Sequence, residues 1–233
     1  MEGKGFKKRT FLGGKTVLLF LAVFLLIPSI VSADELLAKK DFFIDPSYDL
    51  QSREKITAVL QRITNQIYFY VDENFWNFLS IDKQKEFNSA FTNLGQEFES
   101  RIYPVLTSKY GSEWKPGIDR DNRITILIHP MKNEAAGYFS PGDEYPRAQV
   151  PKSNQREMVY LSSNYFTDSL NKDFLAHEIT HLITFNQKDN KYSLSEETWL
   201  DEARANFSST MLGYDKSFQD SNLQRLIGQF LGN

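Results

Sequence analysis

The chain contains no cysteine, and it has only three histidines among its 233 residues. The absence of cysteine excludes disulfides, thiolate metal ligands and a cysteine nucleophile. Any metal site must therefore be built from histidine and carboxylate side chains. Acidic residues (30) outnumber basic residues (27), and this balance argues against nucleic acid as a partner.

Long apolar runs are also scarce, and the strongest one lies near the amino terminus. Residues 17–31 are apolar but include Pro28, and they fall short of the roughly 20 residues that a spanning helix needs. Basic residues precede this run, and Val31-Ser32-Ala33 resembles a cleavage site. The pattern predicts a signal peptide at residues 1–33, with an uncleaved membrane anchor as the alternative. Cleavage would leave a linker at 34–50 and a domain at 51–233, outside the cytoplasm and free of the membrane.

Two of the three histidines lie in the segment His177-Glu178-Ile179-Thr180-His181, which has the H-E-x-x-H pattern. Positions i and i+4 share one face of an α-helix, so the two imidazoles can bind one zinc ion. The glutamate beside the first histidine can reach a water molecule and act as a general base. The motif predicts one zinc ion per chain.

A hydrolytic zinc site needs a third protein ligand, and the segment 199–203 (WLDEA) offers Glu202. We expect a second helix to carry this segment back alongside the first. Ser193 or Ser195 would cap this helix, with Glu196 completing a capping box. Asp201 is the rival ligand, but on a helix it points about 100° away from Glu202.

The two motifs together resemble those of the gluzincin metallopeptidases, in which a W-L-N-E-G-type helix supplies the glutamate ligand. Further stretches are similar to the hyicolysin family of secreted bacterial metallopeptidases, in that family's order: IYFYVDE (67–73), FESRIYPVLTSKYG (98–111), IDRDNRITILI (118–128), AGYFSPGD (136–143), VYLSS (159–163) and LAHEITHLITF (175–185). The resemblance implies a secreted zinc endopeptidase that acts on peptides or proteins. Asp201 and Ala203 depart from the family's Asn and Gly. The chain also ends soon after Glu202, so the domain could be truncated at its carboxy terminus.

Three further residues are candidates for contacts around the site. Asn206, one turn beyond the third ligand, could accept the N–H of the first histidine, although Asp173 or a backbone carbonyl could do the same. Tyr214 could offer a hydroxyl to the substrate, or it could pack at a helix end. Tyr138 lies in a segment that could form an edge strand for an extended substrate, or a structured loop.

Hydrophobic periodicity predicts an α+β, zincin-like domain, with a small sheet packed on the zinc helix and a helical carboxy-terminal part. The predicted elements are a helix at 56–67, a strand at 67–71, a helix from Asp82 that Pro104 bends or ends, strands at 123–128 and 158–161, mostly loop at 130–157, and a zinc helix from Thr167 or Asp168.

Near the carboxy terminus, apolar residues at helical spacing favour an alternative function. Leu223, Leu226, Ile227, Phe230 and Leu231 form a face that must pack on this domain, on a missing segment or on a partner. Such a face would suit a non-catalytic cell-surface or binding module on a peptidase-like fold. The sequence does not predict the oligomeric state.

Overall fold

A computed structural model describes residues 33–132 and 135–214, together with Gln224 and Gly228. The predicted signal peptide, apart from Ala33, and the apolar positions of the carboxy-terminal face lie outside these residues. Within the described part, no helix is long and apolar enough to cross a membrane. The division into signal peptide, linker and domain stays a prediction.

The centre of the protein is one six-stranded mixed sheet, whose strands lie in the order β1-β2-β3-β4-β6-β5. The strands are β1 (Lys39–Phe43), β2 (Lys55–Ile63), β3 (Ile67–Asp72), β4 (Ile124–His129), β5 (Gly137–Phe139) and β6 (Met158–Ser162). The inner strands β3, β4 and β6 run parallel to one another. The short strand β5 pairs antiparallel with β6 and forms one edge of the sheet.

Five α-helices accompany this sheet in the described part of the chain. They are α1 (Glu73–Phe78), α2 (Ile81–Glu97), α3 (Tyr103–Tyr110), α4 (Asn171–Phe185) and α5 (Thr198–Leu212). The turns Phe98–Ile102 and Asn186–Asn190 are π-helical and extend α2 and α4. The architecture confirms the predicted α+β, zincin-like fold.

Two apolar layers cover the two faces of the sheet. Ile67, Phe69 and Val71 of β3 point to the face that packs against α2 and α4. The alternating residues Tyr68 and Tyr70 point to the opposite face, where they belong to a second apolar cluster with Ile44 and Met131. Each large side chain buried in this way stabilises the fold by about 1.5–3 kcal/mol. The first layer fixes α4 against the sheet beside β5 and β6.

The helix predicted at 56–67 is wrong, because this segment forms β2. Ile56, Ala58 and Leu60 alternate along the strand and are buried in the second layer. Val59, also buried, points to the other face, and the pairing with β3 shifts between Leu60 and Arg62. Burial on both faces and this bulge together produced the spacing that resembles a helix.

Other helices and loops begin or end at residues that differ from the predicted ones, and local contacts explain the differences. Pro104 lies in the first turn of α3, where its missing amide hydrogen is not needed, so it does not end the helical run. The zinc-motif helix begins at Asn171, because the Asp168 carboxylate accepts the amide of Leu170 in a turn before it. The loop predicted at 130–157 contains β5 and a short 3₁₀ turn, Pro141–Glu144. The predicted strands at 67–71, 123–128 and 158–161 and the helix from Asp82 are confirmed within two residues.

Candidate active site

Helix α4 carries the two motif histidines on one face. Its opposite face buries Leu175, Ile179 and Leu182 against the sheet, and this burial fixes the rotation of the helix. His177 and His181 therefore point together towards α5, with their Nε2 atoms 3.1 Å apart. Two imidazole nitrogens this close need a proton or a cation between them, because their lone pairs repel.

Glu202 completes this group from the facing helix α5. Its Oε2 lies 3.5 Å from Nε2 of His177, and its Oε1 lies 3.7 Å from Nε2 of His181. Zinc bonds of about 2.0–2.1 Å in a tetrahedron separate neighbouring ligand atoms by about 3.3 Å, which agrees with these distances. Two imidazoles and one carboxylate are also a donor set that zinc prefers. The structure brings together the three predicted ligands, and they fit a zinc ion.

Asp201 contacts the second histidine from its outer side. Its Oδ2 lies 2.8 Å from Nδ1 of His181. The carboxylate favours the hydrogen on Nδ1 and leaves the Nε2 lone pair turned to the ligand group. Asp201 lies outside the group of three candidate ligands, and its contact with His181 was not anticipated from the sequence. Helix geometry could have predicted this contact. Two adjacent carboxylates that point about 100° apart can approach the two nitrogens of one imidazole from different sides.

The connection between α4 and α5 departs from the sequence prediction. Helix α5 begins at Thr198, and neither Ser193 nor Ser195 caps it. Glu196 instead pairs with Lys188 and with Arg204, whose Nη2 donates to Oε1 of Glu196 over 2.7 Å. The Arg204 guanidinium, helped by Lys188, lowers the pKa of Glu196 to about 2. This ion pair ties the loop to the helix that carries Glu202.

Glu178 lies on the inner side of the site and is 7% exposed. Its side chain packs on Gly137, where an added Cβ would lie 3.1 Å from Cγ of Glu178. Burial raises the pKa of Glu178 to about 7; Glu202 and Asp201 add to the rise, and His177 opposes it. A carboxylate at this position is a stronger proton acceptor than an exposed one.

A cavity of about 440 Å³ opens beside Glu178 and His177. Helices α4 and α5 form one wall, and the edge strand β5 with the segment around Tyr48 forms the other. Glu178 and His177 both line this cavity, so a ligand bound there would contact them.

The remaining candidates lie in different places. Asn206 lines the cavity, and its Nδ2 donates to the backbone oxygen of Glu202 over 2.7 Å. Its hydrogen bond to the first histidine, through the side-chain oxygen, stays a prediction. The hydroxyl of Tyr214 donates to Glu97 over 2.8 Å, which places this residue in a packing role on α2. Asp173, the other candidate partner of that histidine, pairs with Ser209.

Tyr138 lies on the predicted edge strand, but its side chain points away from the cavity. Its ring stacks between Tyr48 and Tyr160, with centroids 4.5 Å and 4.1 Å away. Its hydroxyl accepts the amide of Asp45 over 3.2 Å. The Tyr138 side chain is therefore not available to a ligand at this edge.

A sheet packed on an H-E-x-x-H helix, followed by a helix with a facing glutamate, defines a zincin-like domain with a metal-binding geometry. The chain is similar to the neutral metalloprotease ShpI of Staphylococcus hyicus, with 33% identity over 136 residues. The match covers 51% of this chain, and the chain spans only 30% of the length of that relative. No family model matches the chain. The similarity to ShpI confirms the resemblance to hyicolysin-type metallopeptidases.

Proposed function

We propose that the protein is a secreted zinc-dependent endopeptidase in which Glu178 is the general base. The observation that carries this proposal is the position of the Glu178 carboxylate. It is buried between the three candidate ligands and the edge strand, and it faces the cavity. A buried acid with a raised pKa beside a metal-binding group is typical of a catalytic site.

Each residue of the site has a distinct role in this proposal. His177, His181 and Glu202 would hold one zinc ion, which supplies Lewis-acid polarisation of the scissile carbonyl and makes a water molecule more acidic. Glu178 accepts the proton of the attacking water and passes it to the leaving amine. Asp201 keeps His181 in the tautomer that the site requires.

The edge strand β5 would bind the substrate backbone. Within the sheet β5 pairs with β6, which leaves its other side as the sheet edge beside α4. An extended peptide can add to such an edge through main-chain hydrogen bonds. Gly137 permits the close approach of β5 to Glu178.

Export is part of the proposal. It rests on the predicted signal peptide at residues 1–33 and the predicted cleavage after Ala33. The absence of cysteine is compatible with an oxidising compartment, since no thiol needs protection there.

A non-catalytic binding module is the competing function. Exposed apolar side chains near the site, including Leu194 and Phe207, favour a partner surface. Such a module has no need for a base, so it predicts that Glu178 can be replaced without consequence.

The experiment that separates these functions is Glu178→Gln, assayed with casein and labelled peptides. We expect the variant to fold and to keep zinc, and to lose activity by about 10²–10⁴-fold, because the amide cannot accept the proton. Glu86→Gln, which removes an exposed carboxylate on α2, is the control and should match the wild type. Hydrolysis by Glu178→Gln at the wild-type rate, or wild-type hydrolysis that survives a zinc chelator, would contradict the proposal.

A further inference from the structure

The cavity beside Glu178 is also lined by a lysine that forms no ion pair with any carboxylate of the described residues. This lysine, Lys132, belongs to the wall that contains Ser47 and Tyr48. Its Nζ donates to the backbone oxygen of Ser47 over 2.6 Å and to that of Pro46 over 3.3 Å. An ammonium has three hydrogens to donate, and neutral carbonyl oxygens do not cancel its charge. At least one hydrogen and a positive charge therefore remain for a ligand in the cavity.

Hydrogen bonds of the neighbouring backbone fix the position of Lys132. Its amide donates to the backbone oxygen of Tyr48 over 2.9 Å, and the preceding residue, Met131, forms a β-bridge with Asp49. Asp49 is buried, and its carboxylate binds the Arg53 guanidinium over 2.7 Å. The ammonium thus extends from an anchored segment and is held near its tip by two carbonyls. A side chain held in this way loses little conformational entropy when it binds a ligand.

The charges that line the cavity favour an anionic group at Lys132. It is the one lysine or arginine among the described residues of the lining. The two acids of the lining have other roles, because Asp173 pairs with Ser209 and Glu178 is the proposed base. A substrate carboxylate would therefore find a complementary charge at Lys132, whereas a substrate lysine or arginine would be repelled there.

We propose that Lys132 binds a carboxylate of the substrate and makes the protein selective for peptides with an acidic group at one position relative to the cleaved bond. This inference rests on the proposed function, because it assigns a substrate class to the same site. The position is set because Lys132 and Glu178 line one cavity. The carboxylate comes from an aspartate or glutamate side chain or from a peptide's own carboxy terminus, since both offer the same chemistry. Hydrogen bonds between an ammonium and a carboxylate are stronger than those between neutral groups.

Pairs of internally quenched peptides test this proposal. Members of a pair differ only by Asp against Asn, or Glu against Gln, at one position around the cleaved bond, and a further pair has a free or an amidated carboxy terminus. With the wild type, we expect kcat/KM for the acidic member to exceed that for its amide partner by about 10-fold or more, at one position or at the terminus. Lys132→Gln should bring this ratio to about 1, Lys132→Arg should keep most of it, and Lys132→Glu should invert it. The ratio is the readout because the loss of a merely structural lysine would slow the cleavage of both members equally.

The control is Lys85→Gln, which removes an exposed lysine paired with Asp82 on α2 and should keep the wild-type rates and ratio. A wild-type ratio near unity at every position and at the terminus would overturn the inference and leave the proposed function in place. A ratio that survives Lys132→Gln would do the same. If Lys132→Gln does not fold, salt decides. Raising the ionic strength from about 0.05 M to about 0.5 M should lower the wild-type ratio by about half or more, and an unchanged ratio rejects the ionic contact.

Peptide binding to the Glu178→Gln protein separates this inference from the proposed function, because it needs no turnover. In fluorescence anisotropy, the acidic member of the selected pair should bind about 10-fold more tightly than its amide partner, and adding Lys132→Gln should remove the difference. If the wild type hydrolyses no peptide but this difference in binding is found, the proposed function fails and the carboxylate site is supported. Equal binding of both members of every pair rejects the carboxylate site.

Discussion

The Asp201 carboxylate lies 2.8 Å from Nδ1 of His181, on the side of the imidazole that faces away from Glu202. Adjacent carboxylates of α5 thus approach the same histidine from opposite sides. Glu202 would offer a ligand atom to a bound metal ion, and Asp201 would orient the histidine ligand. This arrangement separates the effects of two neighbouring substitutions.

Asp201→Asn should weaken zinc binding by about 10-fold, and Asp201→Ala by up to about 100-fold, while both proteins still bind zinc when it is in excess. The amide oxygen can still accept the hydrogen of His181, but it lacks the charge that makes the imidazole a better donor. Competition with a chromogenic chelator measures the affinity. Glu197→Gln, on the exposed start of the same helix, is the control, and equal affinities in all four proteins would mean that Asp201 has no role.

Glu202→Ala should lower zinc affinity further than Asp201→Ala and should abolish hydrolysis, because it removes a direct ligand. Metal content after dialysis against a weak chelator should fall from one zinc per chain to little or none. If Asp201→Ala lost the metal and Glu202→Ala kept it, the assignment of the ligand would be reversed.

Gly137→Ala should reduce hydrolysis by at least about tenfold without loss of zinc. An added Cβ would lie 2.7 Å from the backbone oxygen of Tyr160 and 3.1 Å from Cγ of Glu178, so either β5 or the base must move. Gly142→Ala is the matched control, because its nearest contact would be an ordinary 3.4 Å. Equal activity of the two variants would show that the fit between β5 and Glu178 is not critical.

Glu196 should make stability depend on acid pH. Its pKa in the folded protein, about 2, lies below the ordinary 4.5, so its ion pair stabilises the fold above pH 4.5 and is lost as the pH falls towards 2. Glu196→Gln should therefore destabilise the protein by about 1–2 kcal/mol at neutral pH, a figure reduced for solvent screening. The difference from wild type should shrink between these two pH values.

Denaturant unfolding of both proteins across this pH range measures the effect. Glu86→Gln, whose carboxylate pairs with Lys83 on the exposed side of α2, should behave as wild type throughout. A constant difference between Glu196→Gln and wild type at every pH would show that the ion pair is not the cause.

Features that depend on the local spacing of residues could be predicted from the sequence. The spacing of His177 and His181 and the position of Glu202 sufficed to place the three candidate ligands together, because helix geometry fixes which residues share a face. The apolar stripe of α2 and the strands β3, β4 and β6 were predictable for the same reason. The proposed general base, Glu178, could be named from its place in the motif.

Features that depend on tertiary contacts could not be predicted from the sequence. Strand β2 is buried on both faces and contains a bulge, so its apolar spacing imitates a helix. Before the start of α5, Glu196 forms ion pairs with Lys188 and Arg204, and no serine caps the helix. The orientation of Tyr138 depends on the aromatic rings that it meets across the sheet. In each case partners from other elements outweighed the local preference.

The three candidate metal ligands lie close together along the chain, whereas the strands of the sheet beside Glu178 lie far apart along it. The ligands belong to two consecutive helices, and the contact between His181 and Asp201 spans only 20 residues. The parallel pairs of the sheet close much longer loops, and Glu178 packs on Gly137 of β5, a strand of that sheet. Because short loops close first, we expect the helical hairpin to assemble early and the sheet to assemble late during folding. A misfolded fraction could then carry metal and remain inactive, so metal content would measure the hairpin, whereas turnover would measure the completed sheet.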